Sequence, residues 1–460
     1  MSPLNKNATL VLDIGKTNVK LVLLAADGIL LAEQRSPNTI VNEGAYPHHD
    51  TERIWTWMLA TMGEFAHIAE VGAIVPVTHG ATAALVDAQG LVLPVLDYEF
   101  SLPADADEAY MAVRPPYAET LSPALPAGLN LGRQLAWQAG AFPDAFTRAS
   151  HLLMYPQYWA WRLCGVAASE VSSLGCHTDM WEPRTRTYSS LVARMGWAAV
   201  LPPLRNAWDA LGVLKPELAA LTGLPASCKV LCGVHDSNAS LLRYLSSGDG
   251  APAPTVLSSG TWLIAAALGA PLVGLVEADD MLANTNVINE PVPCMRFMGG
   301  REFAALAGAD AAPCSAADLA RMVAQRSFAI PCFAPSGGPF SGHEGHIVGP
   351  LPTTDAERTA LATLYCVLMS DYCLTALGST SAVVVEGPFT GNRYFSPLLA
   401  ALRSGQALAQ SDDASGTTCG AWMLHHWGQQ PEGAPAPVVP LLLAGLRAYR
   451  DQWRASLPTK

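Results

Sequence analysis

Charge is scarce in this chain. Only 14% of its 460 residues are charged, and the basic ones are fewer: 27 Lys and Arg against 39 Asp and Glu, a formal net charge of -12. That acidic balance excludes nucleic acid and anionic membrane as expected partners. Cysteine is present, but none of the ten residues has Cys-x-x-Cys spacing. This excludes a zinc ribbon and argues against a disulfide frame. Several thiols lie in apolar runs such as Tyr365-Cys366-Val367-Leu368 and read as buried and reduced, so a cytoplasmic location is expected. The polar start, Met1 to Thr9, lacks the basic and apolar tandem of a signal peptide. No GxxxxGK[ST] loop occurs, so a Walker A nucleotide site is excluded. One uncharged run, Ala251 to Val276, is long enough to suggest a membrane span. Three prolines punctuate it and Ser258-Ser259-Gly260 breaks it, so two buried strands around a tight turn are predicted instead.

What remains is an apolar chain, 50% hydrophobic, too long for one ordinary core. Its first segment reads as a three-strand meander: Thr9 to Leu12, Val19 to Leu24 and Ile29 to Leu31, with turns at Asp13 to Asn18 and Asp27-Gly28. A weaker copy follows in the second half, Thr255 to Leu257 and Trp262 to Leu268 around Ser258-Ser259-Gly260-Thr261. The repeated strand, glycine, hydroxyl, strand unit suggests two similar halves. Helices are predicted around 52–69, 132–139, 155–163, 239–244, 355–377 and 439–457, and strands at 229–232 and 382–385. The domain boundary is expected in the Ser/Gly/Pro stretch 246–254, giving domains 1–248 and 249–460.

Four short segments carry candidate chemistry. Asp13-Ile14-Gly15-Lys16-Thr17-Asn18 offers a carboxylate at a strand end for hydrated Mg²⁺, and a glycine and polar donors for phosphate. Taken alone it is also an ordinary hairpin turn. Gly233-Val234-His235-Asp236 runs from a strand through a turn into a small-residue helix. Asp236 there is either a helix N-cap or a general base for an acceptor hydroxyl. Ser258-Ser259-Gly260-Thr261-Trp262 places hydroxyls between buried strands, and Val385-Glu386-Gly387-Pro388 is a strand end with room for a planar ligand against Gly387.

In this order the segments resemble those of the FGGY carbohydrate kinases, within the actin-like ATPase superfamily, from about Thr9 to Leu424. The motifs are most similar to the rhamnulokinase and fuculokinase branch. They are Asp13 to Lys20, Thr78-His79-Gly80 with Ala84-Leu85-Val86-Asp87, Ser258 to Trp262, and Asn284 to Glu290. The resemblance implies an α/β fold of two actin-like (ribonuclease H-like) domains flanking a central cleft. It implies transfer of the γ-phosphate of ATP to a sugar hydroxyl, with a ketose such as a 6-deoxy-ketohexose as acceptor. By position it implies Mg²⁺ held through water by Asp13, and ATP phosphates at Gly15, Thr17, Asn18, Gly260 and Thr261. Gly387 would lie beside adenosine. His79, Gly80, Asp97, His235 and Asn286 would face the sugar, with Asp236 as base. Three departures from the family pattern stand out. The segment Val95 to Phe100 has no arginine where Trp-x-Asp-x-Arg is usual, Glu386-Gly387-Pro388 replaces a triple glycine, and Cys419-Gly420-Ala421-Trp422 replaces a late Gly-Ala-Ala. They leave the sugar and the nucleotide preference open.

Two other functions compete: a non-catalytic actin-like ATP-binding sensor or switch, and a hydrolase built on His235 and Asp236. The hydrolase lacks an evident nucleophile and leaves both glycine–threonine hairpins unexplained. The partner implied is a small sugar, with a homodimer left open. His343 and His346 have no apparent third ligand and predict no metal site. Tyr155, Tyr158, Trp159 and Trp161 have helical spacing and are expected in the core, and His425-His426 at a surface or helix end.

Overall fold

The structure, a computed structural model, describes residues 5–245, 252–309, 311–411, 416–430 and 433–459. The chain folds as two compact units. The first comprises Met1–Leu245, Ala283–Pro291 and Ser415–Glu432, the second Ser246–Leu282, Val292–Ala414 and Gly433–Lys460. The boundary expected at 248–249 lies outside the described residues. The two returning segments mean that a single cut does not separate the units.

In the first unit, β1 (Asn5–Ile14), β2 (Asn18–Leu24) and β3 (Leu30–Pro37) form the antiparallel meander that their apolar runs predict. β4 (Ala69–Thr78) lies parallel to β1 on its other side. Beyond it, β5 (Ala210–Val213) runs antiparallel to β6 (Lys229–Leu231), and β6 and the short β7 (Val234–His235) both pair parallel with β4. Side chains alternate across a strand, so β1 serves two cores. Leu10, Leu12 and Ile14 pack with Ile54, Met58 and Met62 of α1 (Thr51–Phe65) and with Tyr158 and Trp159 of α2 (Tyr155–Cys164). Val11, with Val75 and Val77 of β4, faces Ala239 and Leu242 of α3 (Asp236–Leu242). Ala421 and Trp422 of the helix Gly416–His425 join that second core. Burial of each large apolar side chain contributes about 1.5–3 kcal/mol, so a strand buried on both faces is firmly held.

The second unit repeats the plan. β8 (Thr255–Ser259), β9 (Leu263–Ala267) and β10 (Pro291–Phe297) form an antiparallel series. β11 (Val383–Glu386) and β12 (Leu408–Ser411) add in parallel beside β8, and β13 (Ala436–Pro437) closes the edge antiparallel. Three antiparallel strands, two parallel ones and an antiparallel edge recur in both units, as the doubled hairpin motif predicts. The uncharged run is thus largely the β8–β9 hairpin. α4 (Gly299–Ala307) and α5 (Asp355–Ala376) cover this sheet. α5 starts with Thr354 accepting from the Glu357 N–H and is long and apolar enough to cross a membrane, but it is buried within its unit. The last helix, α6, spans only Leu446–Ala455 instead of 439–457. Pro440 and Gly445, the latter at φ 79°, keep the preceding residues out of it.

Candidate active site

Three parallel strands of the first unit end together. Asp13 pairs with Val77 and Ile14 with Thr78 across β1 and β4, while His235 pairs with Thr78 across β7 and β4. This register brings Asp13, Thr78-His79-Gly80 and His235-Asp236 to the carboxyl end of one sheet, where α/β folds bind ligands.

The β1–β2 turn is closed by the Gly15 N–H donating to the Asn18 carbonyl at 2.9 Å, and Asn38 Nδ2 donates to the Gly15 carbonyl at 2.8 Å. Thr17 and Asn18 stay exposed, free to meet a ligand. Asp13 is buried opposite Lys20, whose Nζ lies 3.4 Å from Oδ2. Burial pushes the Asp13 carboxyl up; Lys20 opposes this, and the charge of Asp236 adds to it. A buried carboxylate at a strand end can complement the charge of a divalent cation. Among the described residues no three metal-ligating side chains cluster. Asp13 therefore fits Mg²⁺ held largely by water and phosphate oxygens, not a protein cage. His343 and His346 are both exposed.

His79 continues from β4, its N–H donating to the Ile14 carbonyl at 2.9 Å. Its Nδ1 donates to the Gly80 carbonyl at 3.0 Å, and its buried Nε2 has no partner among the described residues. Gly80 is glycine for space: a Cβ there would lie 2.7 Å from His235 Nε2. His235 Nε2 in turn lies 3.3 Å from Asp236 Oδ1 and 3.8 Å from Cys176 Sγ. The Asp236 side chain keeps 32% of its surface exposed, yet burial still raises its pKa, opposed first by His79 where that ring is protonated and then by hydrogen bonds from Ser237. The N-cap of α3 is His235, not Asp236. Asp236 Oδ1 accepts from its neighbour's N–H, Ser237, at 2.5 Å. Asp236 thus stands at the first helical position, one residue inside the cap.

Other candidates are placed differently. Asp97 is buried and pairs with Lys16 Nζ of the β1–β2 turn. Asn286 is buried, and its Oδ1 accepts from the Ile288 and Glu290 N–H groups at 3.1 and 2.9 Å, so that oxygen serves its own loop. Tyr155, Tyr158 and Trp159 are core residues and Trp161 packs against the same core.

Sequence reasoning missed two groups. Glu170, fully buried, accepts from the Ser172 N–H at 2.9 Å and from Ser172 Oγ at 2.6 Å, and Ser172 Oγ accepts from the His235 N–H at 3.3 Å. Burial raises the Glu170 carboxyl to about 7. Its Glu-x-Ser-Ser pattern is a capping signal, but nothing in it points to His235. His49, 1% exposed, lies 5.1 Å ring to ring from His79, with neither nitrogen partnered among the described residues.

In the second unit, Gly260-Thr261-Trp262 link β8 to β9, and Thr261 is exposed. The Gly300 N–H in the first turn of α4 donates to the Thr261 carbonyl at 3.2 Å, so a helix N-terminus abuts this turn. At the end of the adjacent β11, Gly387 has φ 86°, and a Cβ there would lie 2.1 Å from the Ser259 carbonyl oxygen. Ser259 Oγ ties the two strand ends together, donating to the Glu386 carbonyl at 2.6 Å and accepting from the Phe389 N–H at 3.0 Å. A 3-10 helix, Pro388–Gly391, leads from Gly387 to a cavity of about 440 Å³ lined by Pro313, Cys314, Thr359, Asn392, Arg393 and Tyr394.

The chain is similar to known proteins. Residues 118–242 match the N-terminal domain of the FGGY family of carbohydrate kinases, and residues 251–433 match the carbohydrate kinase FGGY C-terminal domain. L-fuculokinase of Salmonella typhi is 28% identical over 278 residues, 57% of this chain. The chain spans 56% of the length of that curated relative. The solved structure of a carbohydrate kinase from Novosphingobium aromaticivorans is 37% identical and superimposes with a TM-score of 0.92, covering 98% of this chain and 100% of its own. Xylulose kinase from Rhodospirillum rubrum, 17% identical, shares the fold at a TM-score of 0.78 over 98% of this chain and 97% of its own.

Proposed function

We propose, because this chain belongs to the FGGY family of carbohydrate kinases, that it transfers the γ-phosphoryl group of ATP to a hydroxyl of a ketose. One observation carries the reading: the register of β1, β4 and β7 gathers Asp13, Gly80, His235 and Asp236 at one sheet end. Asp236 is the base. It accepts the hydroxyl proton as that oxygen bonds to the γ-phosphorus and the bond to the bridging oxygen of ADP breaks. A loose phosphoryl transition state asks mainly for positioning, and the neutral His235 and the Glu170–Ser172 bridge to its backbone supply that. Mg²⁺, when bound, neutralises charge growing on the phosphate oxygens, and Asp13 would hold it through water. Within the first unit Gly15, Thr17 and Asn18 bind phosphate oxygens; within the second, Gly260 and Thr261 bind phosphate oxygens and the cavity beyond Gly387 takes adenosine. His79, Gly80 and Asp97 face the acceptor. A primary hydroxyl of a 6-deoxy-ketohexose is the acceptor best supported by the likeness to an L-fuculokinase. ATP as donor suits a cytoplasmic protein.

The test is ADP formation from Mg²⁺-ATP with L-fuculose, L-rhamnulose, D-xylulose, D-ribulose and glycerol offered singly, with the phosphate ester identified by phosphorus NMR. Sugar-dependent ADP is expected. Slow ADP release, the same with and without sugar, would identify an ATPase switch instead.

A further inference from the structure

Lys16 sits in the turn assigned to phosphate, but its ammonium serves a different segment. It pairs with the carboxylate of Asp97, 81 residues away, and lies 3.3 Å from Glu99 Oε2 and 4.8 Å from the centre of the Tyr98 ring. Its side chain is only 18% exposed, so this is a settled position and not a solvated arm. Asp97 Oδ1 also accepts from the Glu99 N–H at 3.1 Å, while Oδ2 receives no hydrogen bond from the described residues. An ammonium has three donors: Asp97 Oδ1 takes one, Glu99 lies within ion-pair distance without a hydrogen bond, and at least one hydrogen is left for a ligand.

The neighbourhood is that of the acceptor. The Tyr98 ring lies 5.5 Å from the His79 ring, and burial above all, with a smaller push from the Lys16 charge, holds both His79 and His49 below the usual histidine range. His79 precedes Gly80, against which His235 packs beside Asp236. Every step of this path lies within the first unit.

We propose that Lys16 and Asp97 together recognise two neighbouring hydroxyls of the acceptor. A remaining ammonium hydrogen donates to one hydroxyl, and Asp97 Oδ2 accepts from the other. Lys16 is then a specificity residue for the sugar and not a phosphate ligand, and a neutral polyol fits because the ammonium is already balanced by carboxylates. This rests on the sugar kinase reading above.

The experiment compares wild type, Lys16→Met and Lys16→Arg, with KM measured separately for Mg²⁺-ATP and for whichever of L-fuculose or D-xylulose the wild type uses better. A hydrogen bond to a charged group makes the expected rise in sugar KM for Lys16→Met on the order of 10- to 100-fold. The KM for ATP should stay within about threefold, and Lys16→Arg, which keeps the charge, should recover part of the loss. Deoxy analogues of that sugar should include one that loses affinity for the wild type and little more for Lys16→Met. A raised KM for ATP with an unchanged sugar KM would overturn the proposal in favour of a phosphate role, and no change in either would make the pair a structural staple. If the melting curve shows that Lys16→Met does not fold, Asp97→Asn is measured in its place with the same expectation. Wild type with no sugar-dependent ADP would sink the kinase reading itself, an outcome separate from any result on the variants.

Discussion

His235 Nε2 lies 3.3 Å from Oδ1 of Asp236, while Nδ1 of the same ring lies 3.4 Å from the amide nitrogen of Asn238. An amide nitrogen only donates, so Nδ1 accepts, and the ring proton sits on Nε2 facing the carboxylate. Burial lowers the His235 pKa to about 4, so this is a neutral imidazole at physiological pH. Asp236 is thereby held in place without a cation that would weaken it as a base.

A pH profile follows. Burial raises Asp236 above its ordinary 3.8, and the base acts only when ionised. Activity should rise with pH through that raised value and be lost on acidification sooner than for an ordinary aspartate. The measurement is kcat/KM for the acceptor against pH, on enzyme shown to recover after acid exposure. An acid limb centred at or below 3.8 would contradict the raised carboxyl.

Asp13→Asn separates metal from acceptor. The carboxylate is buried, and Asp236 adds to its burden. Removing its charge should raise the Mg²⁺ needed for half-maximal rate by roughly 10-fold or more, while calorimetric affinity for the acceptor stays near that of wild type. Equal losses in both would assign Asp13 to the sugar.

Gly387→Ala tests why glycine stands at the end of β11. At φ 86° a side chain costs about 1–3 kcal/mol in backbone strain alone. The new methyl would also meet the Ser259 carbonyl at 2.1 Å. The melting temperature should fall by about 2–4 °C per kcal/mol lost, and the KM for ATP should rise. An unchanged melting curve would show that the strand end relaxes freely.

Much of this was readable in the sequence, for local reasons. The hairpins announce themselves because apolar runs are cut by short turns, and α5 because its acidic first turn and its glycine stop flank an apolar body. Gly80, His235 and Asp236 stood at strand ends, and register brought them together. The rest depends on contacts that no local pattern encodes. Lys16 meets Asp97 across 81 residues, and Glu170 reaches His235 through Ser172 across 63 between the last two. Segments 283–291 and 415–432 return to the first unit because their apolar residues, Val287 and Trp422 among them, complete its second core. His426 is buried although its helix ends at His425, since its ring stacks on Trp422 at 4.7 Å.

Asp236→Asn is the sharpest test of the mechanism. The variant keeps the shape and an oxygen to accept the Ser237 N–H, now at 2.5 Å, and α3 does not depend on residue 236 for its cap. Loss of the base should lower kcat by roughly 10²–10⁴. Stability should move the other way. A carboxyl whose pKa is raised in the folded state holds its proton more tightly there than in the unfolded chain. Its contribution is present below the ordinary value and lost as pH rises through the raised one, so at neutral pH the ionised group costs stability. Asparagine removes that cost, and the melting temperature at pH 7 should equal or exceed that of wild type, with the difference vanishing in acid. Turnover lost with the fold intact or firmer assigns Asp236 to chemistry. Near-normal sugar-dependent ADP formation with an unchanged melting curve would remove it as base and require another residue to take the hydroxyl proton.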